Sequence, residues 1–154
     1  MEEAYVHYLK FRLNEEHILL DLNQIQIVLP IAELEALPNQ DAAIAGLLNF
    51  HTTFIPIYHL ATLLNMPKPS YDLDTPIIIC LLATKLIGLL VSEVLEVSTL
   101  TSKDLQNPHS SYIYSYVDGV VEDNHIACWL LNLEKLLNFH QLTFDANEHT
   151  HVKT

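Results

Sequence analysis

The sequence predicts a mostly-β domain made of two copies of a related unit. Three observations carry that expectation: short apolar segments with a strand period, turn residues between them at regular intervals, and a self-match along the chain. At a spacing of 69, residues 8–28 lie on residues 77–97 without a gap. Apolar residues then coincide at Tyr8/Ile77, Leu9/Ile78, Phe11/Cys80, Leu13/Leu82, Ile18/Ile87, Leu20/Leu89, Leu22/Val91, Ile25/Val94 and Val28/Val97. At a spacing of 73, residues 45–64 lie on 118–137, where Gly46 meets Gly119 and Leu60 meets Leu133. The four-residue difference puts a longer connection in the second half.

Each unit reads as strands. Residues 8–13 alternate around Lys10 and Arg12, the pattern of a half-buried strand. Glu15-Glu16-His17 turns the chain, and residues 18–22 return. Residues 77–82 are continuously apolar, as in a strand covered on both faces. Residues 54–57 and 127–131 are the later strands. Over 132–142, Leu133, Leu136 and Leu137 fall at helical spacing, which predicts a short C-terminal helix. The stretch 66–76, with Pro67, Pro69 and Pro76, separates the units. Loops are expected at 38–41 and 101–111, and residues after Thr143 are polar. The organisation expected is one domain over 5–138, with units at 5–66 and 76–138 and strands free to exchange between them. Residues 139–154 then form a helix end and a polar tail. Short strands with regular turns point to small barrels or a sandwich, not to alternating strands and helices.

Composition narrows the function classes. Half of the 154 residues are hydrophobic, enough for a substantial core, and the formal net charge is −12. Nucleic acid and anionic membranes need clustered Lys and Arg, and the only arginine is Arg12. Three glycines exclude a phosphate-cradling loop, and no GxSxG, HExxH or CxxC occurs. Cys80 and Cys128 lie in apolar runs and are expected as buried free thiols. Nine histidines are scattered; His149 and His151 lie in the tail, and His51 and His59 flank one strand without evident co-ligands. Glu93 and Glu96, three apart in a strand, should point to opposite faces and so form no catalytic pair. Tyr112, Tyr114 and Tyr116 alternate on one face, as packing or as an interface. No catalytic, cofactor or metal site is expected. The N-terminus lacks a basic region leading into an apolar run, and the longest apolar stretch, 77–91, is interrupted by Thr84 and Lys85. It falls short of the roughly 20 residues that span a bilayer, so a cytoplasmic protein without membrane insertion is expected.

Three blocks then resemble a known family in order. Ala45-Gly46-Leu47-Leu48-Asn49-Phe50 followed by Phe54-Ile55-Pro56-Ile57-Tyr58-His59-Leu60 resembles the central signature of CheW-like chemotaxis coupling proteins. Gly88-Leu89-Leu90-Val91-Ser92-Glu93-Val94-Leu95-Glu96-Val97 resembles the motif of the family's second half. Tyr112-Ile113, Gly119-Val120 and the run from Leu130 to Leu137 resemble its C-terminal motif. The match covers about residues 5–138.

The resemblance implies an all-β fold with few short helices: two intertwined five-stranded SH3-like barrels. It also implies a non-enzymatic, cofactor-free adaptor in two-component signalling, for chemotaxis or twitching. Its partners would be the regulatory domain of a CheA-type histidine kinase and the cytoplasmic tip of methyl-accepting chemoreceptors. Binding would use apolar grooves and exposed barrel edges, expected here at Ile25, Ile27 and Val28, at Gly46, Asn49, His51 and Thr52, at Val94, Glu96 and Val97, and at Gly119. Polar positions depart from the pattern. The family's Arg-Gly is His51-Thr52, its Asp and Arg around the next strand are His59 and Ala61, an acidic position is Ile27, and the second-half Asp is Ser92. Imidazole cannot replace the fork-shaped donor set of Arg. An alternative is therefore a divergent scaffold with another protein partner and weakened receptor binding.

Overall fold

The computed structural model describes residues 4–31, 34–35, 42–104 and 115–140. In chain order the elements are β1 (Tyr5–Leu13), β2 (Glu16–Asp21), β3 (Ile25–Pro30), β4 (Leu34–Glu35), β5 (Ile44–Phe50), β6 (Thr53–His59), α1 (Leu60–Leu63), β7 (Pro76–Leu82), β8 (Lys85–Leu90), β9 (Glu93–Thr101), β10 (Val117–Asp123), β11 (Ile126–Leu131) and α2 (Leu133–Phe139). One sheet has six strands in the order β3-β7-β8-β6-β5-β4, the other five in the order β10-β11-β2-β1-β9. The sixth strand of the first is the two-residue β4.

The strand orders show an exchange. The β1–β2 hairpin sits among β9, β10 and β11, and the β7–β8 hairpin sits among β3, β5 and β6. The registers carry the sequence repeat. Leu9 opposite Val97 and Phe11 opposite Val94 recur, 69 residues shifted, as Ile78 opposite Val28 and Cys80 opposite Ile25. The parallel pair Leu19/Leu130 recurs as Gly88/Ile57. Bulges recur too, between Ile44 and Gly46 and again between Val117 and Gly119.

Each sheet closes on its own core. Leu48, Ile55, Ile57, Ile77, Ile79 and Leu90 all come from the six-stranded sheet and pack together, which makes that sheet a barrel (barrel 1). Tyr8, Leu19, Val121, Cys128 and Leu130 do the same in the five-stranded sheet (barrel 2). A third and larger core lies between the barrels. Leu9, Phe11 and Leu13 of β1 meet Ile78, Cys80 and Leu82 of β7 there, with Leu60 and Leu63 of α1 and Leu133, Leu136 and Leu137 of α2. Strand alternation thus feeds two cores from one strand: Leu9, Phe11 and Leu13 of β1 face the centre, while Tyr8 faces barrel 2. This is why residues 77–82 have no polar position. Ile77 and Ile79 are covered by barrel 1 and Ile78, Cys80 and Leu82 by the centre, and only Leu81, near the end of the strand, is exposed.

Some expectations change. Lys10 and Arg12 share a face of β1 as the alternation requires, but Lys10 is not on a wet surface; it is 6% exposed. Glu93 and Glu96 do not point to opposite faces. A bulge between Leu9 and Phe11 inserts a residue in β9, so Glu93 meets Arg12 and Glu96 meets Lys10 on one side of β1. Tyr116 packs in the central core, with Phe139 edge-on at 5.8 Å. Tyr112, Tyr114, residues 38–41 and 105–111, and the tail after residue 140 lie outside the described residues. Cys80 and Cys128 are buried free thiols, and burial pushes Cys80 up to about 12.

Candidate functional site

Among the described residues, β3 and β9 each lie at one end of a sheet with one side unpaired, and they are repeat equivalents. An unpaired edge offers backbone groups and side chains to another chain. Ile27 and Val28 on β3 are each 39% exposed; their equivalents Glu96 and Val97 on β9 are also exposed. Ile25 and Val94, one turn of the pleat earlier, are half-buried against the central core. The expected interface residues therefore fall into separate zones. Ile25, Ile27 and Val28 form one edge, and Val94, Glu96 and Val97 form another in a different sheet. Gly46 and Gly119 are buried at equivalent bulges.

His51 and Thr52 make the two-residue turn of the β5–β6 hairpin, both exposed and both left-handed, at φ 49 and 68. Asn124 and His125 repeat this turn at φ 52 and 67. Such a turn needs positive φ at both central residues, which suits Asn and Gly and disfavours a β-branched Thr. Asn49 is exposed one position before Phe50 and pairs with Phe54, which is exposed as well. Phe50 in turn meets the His51 ring edge-on at 4.4 Å. His59 serves another purpose. Its Nδ1 lies 2.8 Å from the Tyr71 hydroxyl, and the two rings stack at 5.6 Å, tying the 66–75 connection to β6. Burial, then the charge of Lys68, lowers the His59 pKa. Among the described residues no three His, Cys, Asp or Glu side chains converge on a metal-sized site.

The repeat makes a sharper comparison possible. At the end of barrel 1 where Ile27 pairs with Ile79 and Leu81 pairs with Leu86, the surface is apolar, and Phe50 and Leu86 pack partly buried on the barrel core. Leu81 is 40% exposed there. Shifting by the two repeat spacings gives the same places in barrel 2: Glu96 for Ile27, Lys10 for Ile79, Arg12 for Leu81, His17 for Leu86 and Asp123 for Phe50. Five apolar residues at one end are five ionisable residues at the other.

The ionisable set is paired. Lys10 Nζ donates to the Asp123 carboxylate and lies 4.0 Å from Glu96, and Arg12 Nε lies 3.2 Å from Glu93 Oε1. Burial pulls the Lys10 pKa down, but the hydrogen bond to Asp123 and the nearby negative groups outweigh it, and the net shift is upward. A polar cavity of about 310 Å3 opens beside Lys10, between Leu19, Val121, Cys128 and Asp104. A second groove of about 750 Å3 runs between the β1–β2 turn, the connection at Asp72–Asp74 and the start of β9.

The apolar end was not foreseen from Leu81, Leu86 and Phe50, although the repeat alignment held the signal. Reading its mismatches in place of its matches would have found it.

Comparison with known proteins fixes the relationship. The model of the CheW-like domain family matches residues 7–141. The chain belongs to the CheW-like domain family. It is 23% identical over 144 residues to the chemotaxis protein CheW of Klebsiella aerogenes, covering 91% of this chain and 86% of that one. It is 25% identical over 132 residues to a probable chemotaxis protein CheW of Rhizobium etli, covering 83% and 84%. The fold is that of the scaffolding protein TtCheW from Thermoanaerobacter tengcongensis, with a TM-score of 0.76, 22% identity, and coverage of 87% of this chain and 93% of that one. The two intertwined SH3-like barrels implied by the family resemblance are therefore this chain's fold, with a marginal sixth strand added to one of them.

Proposed function

We propose that this CheW-like chain is a non-enzymatic, cytoplasmic adaptor that couples chemoreceptors to a CheA-type histidine kinase. The kinase's regulatory domain docks on the open end of barrel 1. The observation that carries the reading is the apolar end itself. Ile27, Val28 and Leu81 stay exposed beside an unpaired strand edge, in a member of a family whose curated relatives are chemotaxis proteins. Such a surface favours partners that bury apolar area and complete a sheet edge. Among the described residues no helix is long and apolar enough to cross a membrane. Calorimetric titration with the regulatory domain of the cognate kinase tests the proposal, with saturable binding as the expected result. Wild-type protein that binds neither that domain nor a receptor cytoplasmic fragment would sink it.

A second reading is favoured by the β5–β6 turn. Where relatives carry Arg-Gly, His51 and Thr52 stand exposed at positive φ. On this reading the chain is a scaffold whose receptor contact is weakened and whose main partner differs. Receptor binding that appears for the first time in His51→Arg supports it; equal binding by wild type and variant counts against it.

A further inference from the structure

We infer that this chain exchanges halves with a second copy of itself: the turn at 72–75 opens as a hinge, and each unit completes the barrels of the other copy in a domain-swapped dimer. The inference does not rest on the adaptor reading.

Neither unit closes a barrel alone. The pairs β1–β2, β5–β6, β7–β8 and β10–β11 lie within a unit. The pairs β1–β9, β2–β11, β3–β7 and β6–β8 each join one unit to the other, two of them in each barrel. The central core is shared in the same way: Phe11 and Leu60 come from the first unit, Cys80 and Leu136 from the second. A unit without its complement therefore leaves four strand sides unpaired and an apolar face open to water. A second copy of the chain offers the same complement in the same registers, so the exchange preserves every pairing outside the hinge.

The link between the units, residues 64–75, shows where the chain opens. Its first part belongs to the first unit. The Met66 amide donates to Ala61 O at 2.8 Å, Asn14 Nδ2 donates to Pro67 O at 2.7 Å, and Tyr71 stacks on His59. Its last four residues hold mainly one another. The Asp72 amide donates to Thr75 Oγ1 at 2.8 Å, the Asp74 amide to Asp72 Oδ1 at 2.8 Å, and the Thr75 amide to Asp72 O at 3.1 Å. Leu73, at the tip, is 74% exposed. Extending this turn gives up three local hydrogen bonds and spans roughly 13 Å. Residues 64–71 stay on their own unit while the second unit is carried to the other copy.

The link also sets the balance between the two forms. A short flexible tether presents a chain with its own complement at an effective concentration of roughly millimolar, so single chains prevail well below ~1 mM and swapped dimers compete near it. The dimer carries two complete barrel pairs joined by two hinges, a bivalent form of every surface the monomer has.

A disulfide across the unit boundary tests this in the full chain. His7 and Thr99 are exposed and opposite each other on β1 and β9, with side chains 2.9 Å apart. The His7→Cys/Thr99→Cys protein is refolded from urea, oxidised, and analysed by light scattering and non-reducing electrophoresis. Refolding at ~10 µM should give monomers with the disulfide inside one chain, and refolding at ~1 mM should give dimers with disulfides between chains. Asp74→Pro removes an amide donor and forces Leu73 out of the turn conformation, so it should raise the dimer fraction at ~10 µM at least ~10-fold. Asp74→Gly, which permits the turn, should stay close to the parent.

Dimers whose disulfides all lie within one chain are joined by some other surface and overturn the inference. So does a monomer as the only product at ~1 mM, or an equal dimer fraction in folded Asp74→Pro and Asp74→Gly. Where Asp74→Pro fails to fold, the ~1 mM refolding of the parent decides by itself.

Discussion

Gly88 makes barrel 1 depend on the absence of one carbon atom. It needs no special backbone angle: no glycine among the described residues has positive φ. The constraint is space. A Cβ at Gly88 would lie 2.3 Å from Ile57 Cδ1, 2.9 Å from Ile77 Cγ2 and 3.1 Å from Ile79 Cδ1, and all three isoleucines are fully buried. Gly88→Ala therefore overpacks a closed core, which costs about 1–3 kcal/mol. The stiffer unfolded chain returns about 0.4–1 kcal/mol. The net expectation is a loss of about 1–2 kcal/mol, or a fall in Tm of roughly 3–8 °C for a domain of this size. The shortest contact names its own rescue, because Ile57→Val removes Cδ1. Alone, Ile57→Val should cost about 0.5–1.5 kcal/mol. Combined with Gly88→Ala it should cost less than the sum by at least ~1 kcal/mol, since the new methyl fills the space the old one leaves. Urea unfolding of the four proteins measures the cycle. Strict additivity, or a stabilising Gly88→Ala, would refute the packing argument.

Three further outcomes are expected. Thr52→Gly should stabilise the chain by about 1 kcal/mol in urea melts, because it removes a β-branched residue from φ 68, and an unchanged or lower midpoint contradicts this. Asn132→Ala should destabilise it by about 1 kcal/mol, since the Asn132 side chain caps α2 at the Lys135 amide (3.0 Å) and also donates to Asp118 (2.9 Å); no loss by circular-dichroism melts would show the cap to be idle. Stability should depend on His59 below neutrality. Its folded pKa is below the unfolded ~6.5, so its contribution is complete above that pH and is lost as pH falls through the folded value. Burial pushes Tyr71 up to about 12, so its hydroxyl stays protonated beside the His59 ring over this range. The wild type should thus lose more stability than His59→Asn between pH 7.5 and 5, and parallel curves would remove His59 from the account.

How much of this could be read beforehand follows from the kind of signal each feature leaves. The repeat was legible because apolar residues must recur where equivalent strands face equivalent cores, and the 69 and 73 spacings reappear as pairing registers. The helix over Leu133–Phe139 was legible from Leu133, Leu136 and Leu137. By contrast, α1 has four residues, too few to show a period, and β4 has two. The faces of Glu93 and Glu96 were misjudged because a bulge changes the parity of a strand without changing its composition. Lys10 was placed toward water because alternation says which side a residue takes, not what covers that side. Ile27 and Val28 were singled out by the family resemblance, and they do lie exposed on a strand edge. The extension of that edge to Leu81 and Phe50 was not legible, because those positions come together only when a hairpin from one half enters the barrel of the other.

That exchange also sets an order of events during synthesis. Barrel 1 has all its strands once β8, ending at Leu90, has left the ribosome. The β1–β2 hairpin is made first and completed last, because its neighbours are β9 and β11. It must wait for on the order of 100 further residues, roughly 5–20 s at ~5–20 residues per second. Throughout that interval Phe11, Leu13, Ile18 and Leu20 have no finished core to enter. The nascent chain thus carries an apolar hairpin without its final neighbours until β11 has been made.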